Sequence, residues 1–119
     1  MDYFYSNIII LKIALIIFAY AIGSIPSSVW IGKMFYNLDV REYGSGNAGF
    51  TNALRVMGAR GGIPVLIIDV LKGFIAVKLA IFANLDSLGS FDVINYQIIL
   101  AIAVLLGHVF PVLAQFDGG

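Results

Sequence analysis

The chain contains no cysteine, a single histidine and few charged residues. The absence of cysteine excludes disulfide frameworks, thiolate nucleophiles and cysteine-ligated metal sites. One imidazole cannot make a metal site by itself, so no metal is expected. Charged residues are 12% of the composition, where a soluble domain has about a quarter. Seven Lys and Arg balance seven Asp and Glu, which leaves no positive field for nucleic acid.

Apolar residues, in contrast, make up 61% of the 119 residues. A domain of this size leaves a large fraction of its chain at the surface, so it cannot hide that much apolar material from water. The composition therefore argues against a soluble enzyme, and the medium around the protein must largely be lipid.

Three apolar runs are candidates to cross a bilayer, which takes roughly 20 residues. They lie at about residues 8–31, 62–83 and 96–113. A signal peptide is the alternative for the first run, although its apolar region would be shorter and would end at a small-residue cleavage site. Pro26 within this run predicts a bend, because proline lacks an amide donor. We predict an all-α, polytopic membrane protein with three transmembrane helices in a single membrane domain over residues 1–119.

The basic residues predict how these spans are oriented. The polar, Gly-rich segment 33–61 contains four Lys and Arg, whereas the connection 84–95 contains none. By the positive-inside rule, the first segment is cytoplasmic and the amino terminus lies outside. With three spans, residues 41–61 and 107–119 are then expected on the same, cytoplasmic face of the membrane.

The stretch 43–52 has the composition of an anion-binding loop. Three of its residues are glycines, which allow tight turns and let backbone amides form a concave nest for an anion. Arg55 adds a planar cation suited to phosphate oxygens, and a helix beginning near Asn52 would point its amino end at the anion. The neutral polar side chains nearby are Ser45, Asn47, Thr51 and Asn52. A solvated loop is the alternative, since a lone Gly-rich segment is a weak signal.

The predicted spans contain ionisable residues where charge is costly, among them Asp69, Lys72 and His108. Asp69 and Lys72 share one helix face at i and i+3 and should face a partner, a cavity or an interface rather than lipid. One interpretation is a structural pair whose two charges neutralise each other. The other is a functional pair, in which the lysine faces the anion site and the aspartate holds it in place. His108, at the end of the third run, is either structural or functional. We find no Ser-His-Asp spacing and no pair of catalytic carboxylates in the sequence.

Four motifs occur in the order found in a known family. They are YAIGS at 20–24 with Pro26, GSGNAGFTNALR at 44–55, DVLKG at 69–73 and GHVFPV at 107–112. The chain resembles the bacterial membrane glycerol-3-phosphate acyltransferases that use acyl phosphate, the PlsY family. The resemblance covers essentially the whole chain and roughly the first half or more of a family member. It implies a fragment of a larger helical bundle in the bacterial plasma (inner) membrane.

The resemblance implies a reaction of phospholipid synthesis. A fatty acyl group passes from acyl phosphate to the 1-hydroxyl of sn-glycerol 3-phosphate, giving lysophosphatidate and inorganic phosphate. Because acyl phosphate is already activated, neither coenzyme A nor a metal nor any other cofactor is implied. The expected partners are the two substrates and membrane lipid, without nucleic acid. The alternative is a non-catalytic membrane subunit or a fragment of an anion transporter.

The resemblance also implies roles for individual residues. Ser45 and Arg55 would bind the phosphate of glycerol 3-phosphate. Asn47, Gly49 and Thr51 would cradle the acyl phosphate with neighbouring amides, and Gly46 belongs to the same phosphate-binding set. The catalytic set would be His108, Lys72 and Asn52, supported by Asp69. A substrate phosphate is the expected acceptor of the hydroxyl proton.

Two departures from the family pattern bear on activity. Phe50 stands where the family usually has alanine, so its ring is expected to narrow the loop. The second motif normally continues as Phe-Lys-Gly-Gly-Lys-Gly, whereas this chain reads Phe116-Asp117-Gly118-Gly119. An acidic residue thus replaces a basic one beside two substrate phosphates. We therefore expect the 119-residue chain alone to be inactive as an acyltransferase.

Overall fold

The structure, a computed structural model, describes residues 2–83 and 90–112, which are mostly helical and contain no β-strand. The predicted all-α class is confirmed. Four α-helices follow one another as α1 (Asp2–Gly23), α2 (Ser27–Phe35), α3 (Phe50–Lys78) and α4 (Ser90–Val109). Two short 3₁₀ segments, Val40–Glu42 and Leu79–Phe82, flank α3.

The bend predicted at Pro26 is a break between α1 and α2. Pro26 has no amide hydrogen, so it cannot continue the hydrogen-bond ladder of α1. The amide of Ser27 donates to the Ile25 carbonyl at 3.0 Å, so it is turned away from the Gly23 carbonyl that a continuous helix would offer it. The break therefore leaves helix-end carbonyls in the interior of the bundle.

The helix α3 begins within the segment that the sequence analysis assigned to the cytoplasmic loop. It starts at Phe50, two residues before the predicted helix start at Asn52. Gly58 interrupts it with φ 71° and ψ −171°, a conformation open essentially only to glycine. The segment 33–61 therefore contains the end of α2, a loop and a first helical piece of α3, and the predicted second span begins beyond the interruption.

Contacts along their lengths show how the long helices are arranged. Tyr96 of α4 donates to the Lys12 carbonyl of α1 at 2.9 Å, and Tyr20 of α1 donates to the Phe110 carbonyl. The two helices therefore run in the same direction. Ser27 meets Asp69 and Gly23 meets Lys72, so α3 runs antiparallel to them. The end of α4 consequently lies beside the α1–α2 break.

The packing divides into two apolar clusters, one on each side of this break. The first joins α1, α4 and the end of α3, and its buried residues include Ala19, Ala76, Leu79 and Leu100. The second joins α2, the Gly-rich loop and the start of α3 around Val29, Val40, Ala48, Ala53 and Val65. The loop is thus packed on α2, and the direction of α2 sets its position.

Two segments are long and apolar enough to cross a membrane by length and composition, Ser6–Phe35 and Asp92–Val109. The helix α3, which carries Asp69 and Lys72, is not one of them. Apolar side chains such as Ile17, Phe74 and Leu105 are exposed on the described surface. Three spans therefore remain a prediction, with length and composition supporting the first and the third.

Two glycines allow α1 and α4 to pack closely. A Cβ atom at Gly23 would overlap the Val104 carbonyl, and one at Gly107 would overlap the Tyr20 carbonyl. Gly107→Ala is therefore expected to destabilise the protein by roughly 1–3 kcal/mol, since the added methyl group meets rigid backbone. Thermal unfolding in detergent measures the effect.

Gly73→Ala is the matched control, because a Cβ there would meet no atom within 4 Å apart from the neighbouring backbone of its own helix. It should raise stability by roughly 0.5–1 kcal/mol through helix propensity. Equal unfolding temperatures for the Gly73 and Gly107 variants would contradict close packing of α1 on α4.

Candidate functional site

A cleft of about 320 Å³ lies where the Gly-rich loop enters α3. Five of the residues predicted to bind phosphate line it together, namely Ser45, Asn47, Gly49, Thr51 and Arg55, and Phe50 and Asn52 complete the lining. The sixth, Gly46, is not among the lining residues, and its φ of 77° gives it a turn-forming role in the loop. The contiguous motif that the sequence analysis singled out therefore lines one cleft.

Asn52 holds the loop in shape from the inside. Its side chain is buried at 2% exposure, and its amide group donates to the carbonyls of Val40, Tyr43 and Asn47 at 2.9–3.1 Å. Its carbonyl oxygen accepts from the Ser45 amide at 3.0 Å. Both ends of the side chain are therefore bound to loop backbone, which makes Asn52 a positioning residue here.

Most amides of the loop already have acceptors inside the loop. The Asn47 amide donates to the Ser45 hydroxyl at 3.3 Å, and the Gly49 amide donates to the Asn47 side chain at 3.0 Å. The Gly46 amide donates to the Tyr43 carbonyl at 2.9 Å. The expected nest of loop amides is therefore largely occupied by internal hydrogen bonds.

The first turn of α3 has backbone amides that are available to an anion, whereas most amides of the loop are already paired. Gly49 precedes the helix in an extended conformation and offers no side-chain cap. The first intrahelical bond runs from the Ala53 amide to the Gly49 carbonyl at 3.0 Å, so the amides of residues 50–52 have no acceptor within the helix. Unpaired amides and the helix dipole together favour an anion at this end.

Arg55 and Thr51 face the same side of α3, one helical turn apart. Both are exposed, and both line the cleft. Within residues 2–83 and 90–112, Arg55 makes no ion pair, whereas Lys33, Arg41 and Lys72 each pair with an aspartate. The guanidinium is therefore available to a ligand at the uncapped helix end.

A hydrogen bond attaches the loop to α2, and a local ion pair stabilises the segment that leads into the loop. The Ser28 hydroxyl of α2 donates to the Ala48 carbonyl, and both residues are buried. Asp39 accepts from the Arg41 backbone at 3.0 Å and from its guanidinium at 2.7 Å. Hydrogen bonds from Arg41 hold the pKa of Asp39 below its usual value despite partial burial. The stabilisation from Asp39 is therefore present at neutral pH and is lost as the pH falls through the lowered pKa.

The second group of predicted residues lines a different cleft, of about 250 Å³, between α3 and α4. Lys72 is 4% exposed, and its ammonium donates to the Gly23 carbonyl at 3.1 Å and to the Ile25 carbonyl at 2.9 Å. It also lies 3.1 Å from Asp69 Oδ1 and 3.1 Å from His108 Nδ1. Four acceptors thus surround three N–H groups, which leaves none for a substrate.

These contacts change what can be expected of Lys72 and His108. Because an ammonium only donates, His108 Nδ1 must accept, and the proton of the neutral ring is assigned to Nε2. Neither residue lines the cleft at the start of α3, so the structure does not bring them to the Gly-rich loop. Sequence reasoning also missed Ser27, whose hydroxyl donates to Asp69 Oδ1 at 2.7 Å. Its only signal was its place immediately after Pro26.

Some predictions lie outside the described residues. They concern Asp117 and the rest of 113–119, and residues 84–89 of the predicted outer connection. Across the described ranges, no three His, Asp or Glu side chains stand together as metal ligands.

The family model described as glycerol-3-phosphate acyltransferase matches residues 13–119 of this sequence. The chain belongs to the glycerol-3-phosphate acyltransferase family. The resemblance stated from the four motifs is therefore confirmed.

Curated relatives carry the same name. The chain is 44% identical over 107 residues to a glycerol-3-phosphate acyltransferase of Enterococcus faecalis, covering 90% of this chain and 46% of the relative. It is 49% identical over 104 residues to one of Fusobacterium nucleatum, covering 87% of this chain and 50% of the relative. The chain thus spans about half the length of these glycerol-3-phosphate acyltransferases.

Two crystal structures of PlsY, an integral membrane glycerol 3-phosphate acyltransferase, have a similar fold. The glycerol 3-phosphate form superposes with a TM-score of 0.75 at 38% identity, covering 91% of this chain and 50% of that one. The lysophosphatidic acid form superposes with a TM-score of 0.70 at 36% identity, with the same coverage. This chain of the glycerol-3-phosphate acyltransferase family therefore shares the helical fold of half of PlsY.

Proposed function

We propose that residues 1–119 provide the phosphate-binding part of a membrane acyltransferase site that transfers a fatty acyl group from acyl phosphate to glycerol 3-phosphate. The observation that carries this proposal is the cleft at the start of α3, where Arg55 stands at an uncapped helix end. Membership of the glycerol-3-phosphate acyltransferase family supports this proposal over an anion-transporter fragment or a non-catalytic subunit. A dianionic phosphate suits both the guanidinium and the helix dipole.

Two phosphate groups must be held for this reaction. In the proposal, Arg55 and the Ser45 hydroxyl bind the phosphate of glycerol 3-phosphate. Thr51, Asn47 and the amides of the first turn of α3 bind the phosphate of the acyl donor. Phe50 lines the same cleft and limits the space for the two groups.

The proposed chemistry is a direct acyl transfer. The oxygen of the 1-hydroxyl attacks the carbonyl carbon of the acyl phosphate, and the bond from that carbon to the phosphate oxygen breaks. The phosphate leaves with the electron pair, and the hydroxyl proton passes to a substrate phosphate. Positioning of the two substrates and stabilisation of the developing charge then supply the catalysis. Asn52, Lys72 and His108 are assigned to holding the site in shape.

The site is proposed to open to the cytoplasm of a bacterium, in its plasma membrane. Three spans, with the amino terminus outside, place the four basic residues of 33–61 on that face. The proximity of the α4 end to the α1–α2 break supports a common face for the loop and the residues after α4.

An assay of acyl donors tests the proposal. Because the chain spans about half of its relatives, we would continue residues 1–119 with the matching second half of the Fusobacterium nucleatum relative. Labelled glycerol 3-phosphate is then supplied with palmitoyl phosphate, palmitoyl coenzyme A or palmitoyl acyl carrier protein. Lysophosphatidate is expected from palmitoyl phosphate, with release of inorganic phosphate.

The chimera needs two controls. Residues 1–119 alone are expected to give no product, and nanodiscs without protein provide the background. The acyl phosphate assignment is wrong if palmitoyl coenzyme A supports the faster reaction. Absence of product from every donor, in a chimera that is folded, would overturn the acyltransferase proposal.

A further inference from the structure

The break between α1 and α2 places two helix ends against each other without charges of their own to stabilise them. The last turn of α1 has no basic residue, and the first turn of α2 has no acidic residue. Pro26 precedes α2 and provides no side-chain cap. A helix C-terminus favours a cation and a helix N-terminus favours an anion. Both ends therefore need partners from elsewhere in the bundle.

The missing charges come from α3. The Lys72 ammonium contacts the Gly23 carbonyl at the end of α1, which the Ser27 amide does not pair. Asp69 accepts from the hydroxyl of Ser27, the first residue of α2, at 2.7 Å. The i, i+3 spacing puts both on one face of α3. Each ion thus faces the helix end that its charge favours.

We propose that Asp69 and Lys72 act as one oriented cap, supplied by α3, that holds both ends of the broken helix and fixes the direction of α2. A simple neutralised pair needs only its 3.1 Å ion contact. The additional hydrogen bonds from Lys72 to two carbonyls and from Ser27 to Asp69 make the polarity of the pair matter. The contact of Lys72 with His108 attaches the end of α4 to the same point.

The cap also affects the cleft at the start of α3, because α2 contacts the Gly-rich loop. Ser28 bonds the Ala48 carbonyl, and Val29 packs in the same buried cluster as Val40 and Ala48. A change in the direction of α2 would therefore displace the Gly-rich loop. Only this consequence rests on the proposed function, since the cap itself is a property of the fold. Asp69 and Lys72 are accordingly positioning residues.

Reversing the ion pair tests its polarity. The swap Asp69→Lys with Lys72→Asp keeps one ion of each sign but turns an anion toward the Gly23 and Ile25 carbonyls. The neutral pair Asp69→Asn with Lys72→Met removes both charges. Thermal unfolding of the chain in nanodiscs is followed by the fluorescence of Trp30, which lies on α2 and is the one tryptophan in the sequence. We expect the swap to unfold at a lower temperature than the neutral pair. A swap as stable as the unchanged chain would overturn the oriented cap.

Restoring the backbone amide at position 26 should rescue the stability of a Lys72 variant if Lys72 caps the helix break. It should not do so if Lys72 has only a general structural role. Pro26→Ala allows the ladder of α1 to continue, so the helix no longer needs a cap. The fall in unfolding temperature caused by Lys72→Met should be roughly halved or less in the Pro26→Ala background, as coupled residues require. Additive effects of the two substitutions would overturn the proposal.

Controls separate the cap from the proposed activity. Lys78→Met removes an exposed lysine of the same helix and should show no coupling to Pro26→Ala. Where the swap and the neutral pair both fail to fold, recovery in the Pro26→Ala background supports the cap and continued failure overturns it.

In the acyltransferase chimera, Pro26→Ala should raise KM for glycerol 3-phosphate more than it lowers kcat. An inactive chimera would refute the proposed function and leave the unfolding results as they stand.

Discussion

Replacing Arg55 by alanine is expected to raise KM for glycerol 3-phosphate by about 10- to 100-fold in the chimera that carries residues 1–119. Arg55 lines the cleft and makes no ion pair with any described residue, so its guanidinium is available to a phosphate. A charge-assisted hydrogen bond of this kind contributes roughly 1.5–3 kcal/mol, which corresponds to that change in affinity. Steady-state kinetics with palmitoyl phosphate held at saturation measure it.

Two further variants make the Arg55 result specific. Arg55→Lys should restore the affinity only in part, because lysine lacks the planar fork that binds two phosphate oxygens. Arg60→Ala is the matched control, since Arg60 is also exposed on α3 but lies beyond Gly58 and outside the cleft lining. Unchanged KM in both Arg55 variants would remove this residue from the site.

Asn52→Asp is expected to destabilise the protein by about 2–5 kcal/mol and to abolish high-affinity phosphate binding. The substitution keeps the acceptor for the Ser45 amide but removes the donors to three backbone carbonyls. Each lost hydrogen bond contributes roughly 0.5–1.5 kcal/mol, and a buried carboxylate facing carbonyls adds to that cost. Thermal unfolding and glycerol 3-phosphate binding, measured on the same preparation, test both effects.

Asn47→Asp provides the comparison for this result. Asn47 belongs to the same loop and is exposed, and its side-chain oxygen accepts from the Gly49 amide, a role that a carboxylate keeps. It should therefore unfold close to the temperature of the unchanged chain. Equal losses of stability in the Asn47 and Asn52 variants would contradict the assignment of Asn52 as the organiser of the loop.

The parts of the fold that depend on local chemistry could be predicted from the sequence. Pro26 interrupts the interior of a long helix because its missing amide is a property of the residue itself. The loop and Arg55 are contiguous in the chain, so one motif was enough to place them in one cleft. The helix start at Phe50 was predicted within two residues for the same reason.

Contacts that join distant segments could not be predicted in this way. Ser27 and Asp69 are 42 residues apart, and Lys72 and His108 are 36 apart. Their pairing depends on how three helices pack, which a periodic apolar pattern does not specify. The i, i+3 spacing indicated a shared face for Asp69 and Lys72 but not what that face contacts. The internal use of the loop amides was missed because it follows from the orientations of the Ser45, Asn47 and Asn52 side chains.

Titration of glycerol 3-phosphate into the chain in nanodiscs, labelled with ¹⁵N only at threonine and histidine, tests most directly whether the start of α3 is the phosphate site. Thr51 and His108 are the single threonine and the single histidine, so each label reports one cleft. The Thr51 amide signal should move and saturate as glycerol 3-phosphate binds one helical turn away at Arg55. It should not respond to glycerol, and the His108 ring signals should stay in place. A response at His108 with none at Thr51, or an equal response of Thr51 to glycerol, would contradict a phosphate site at the start of α3.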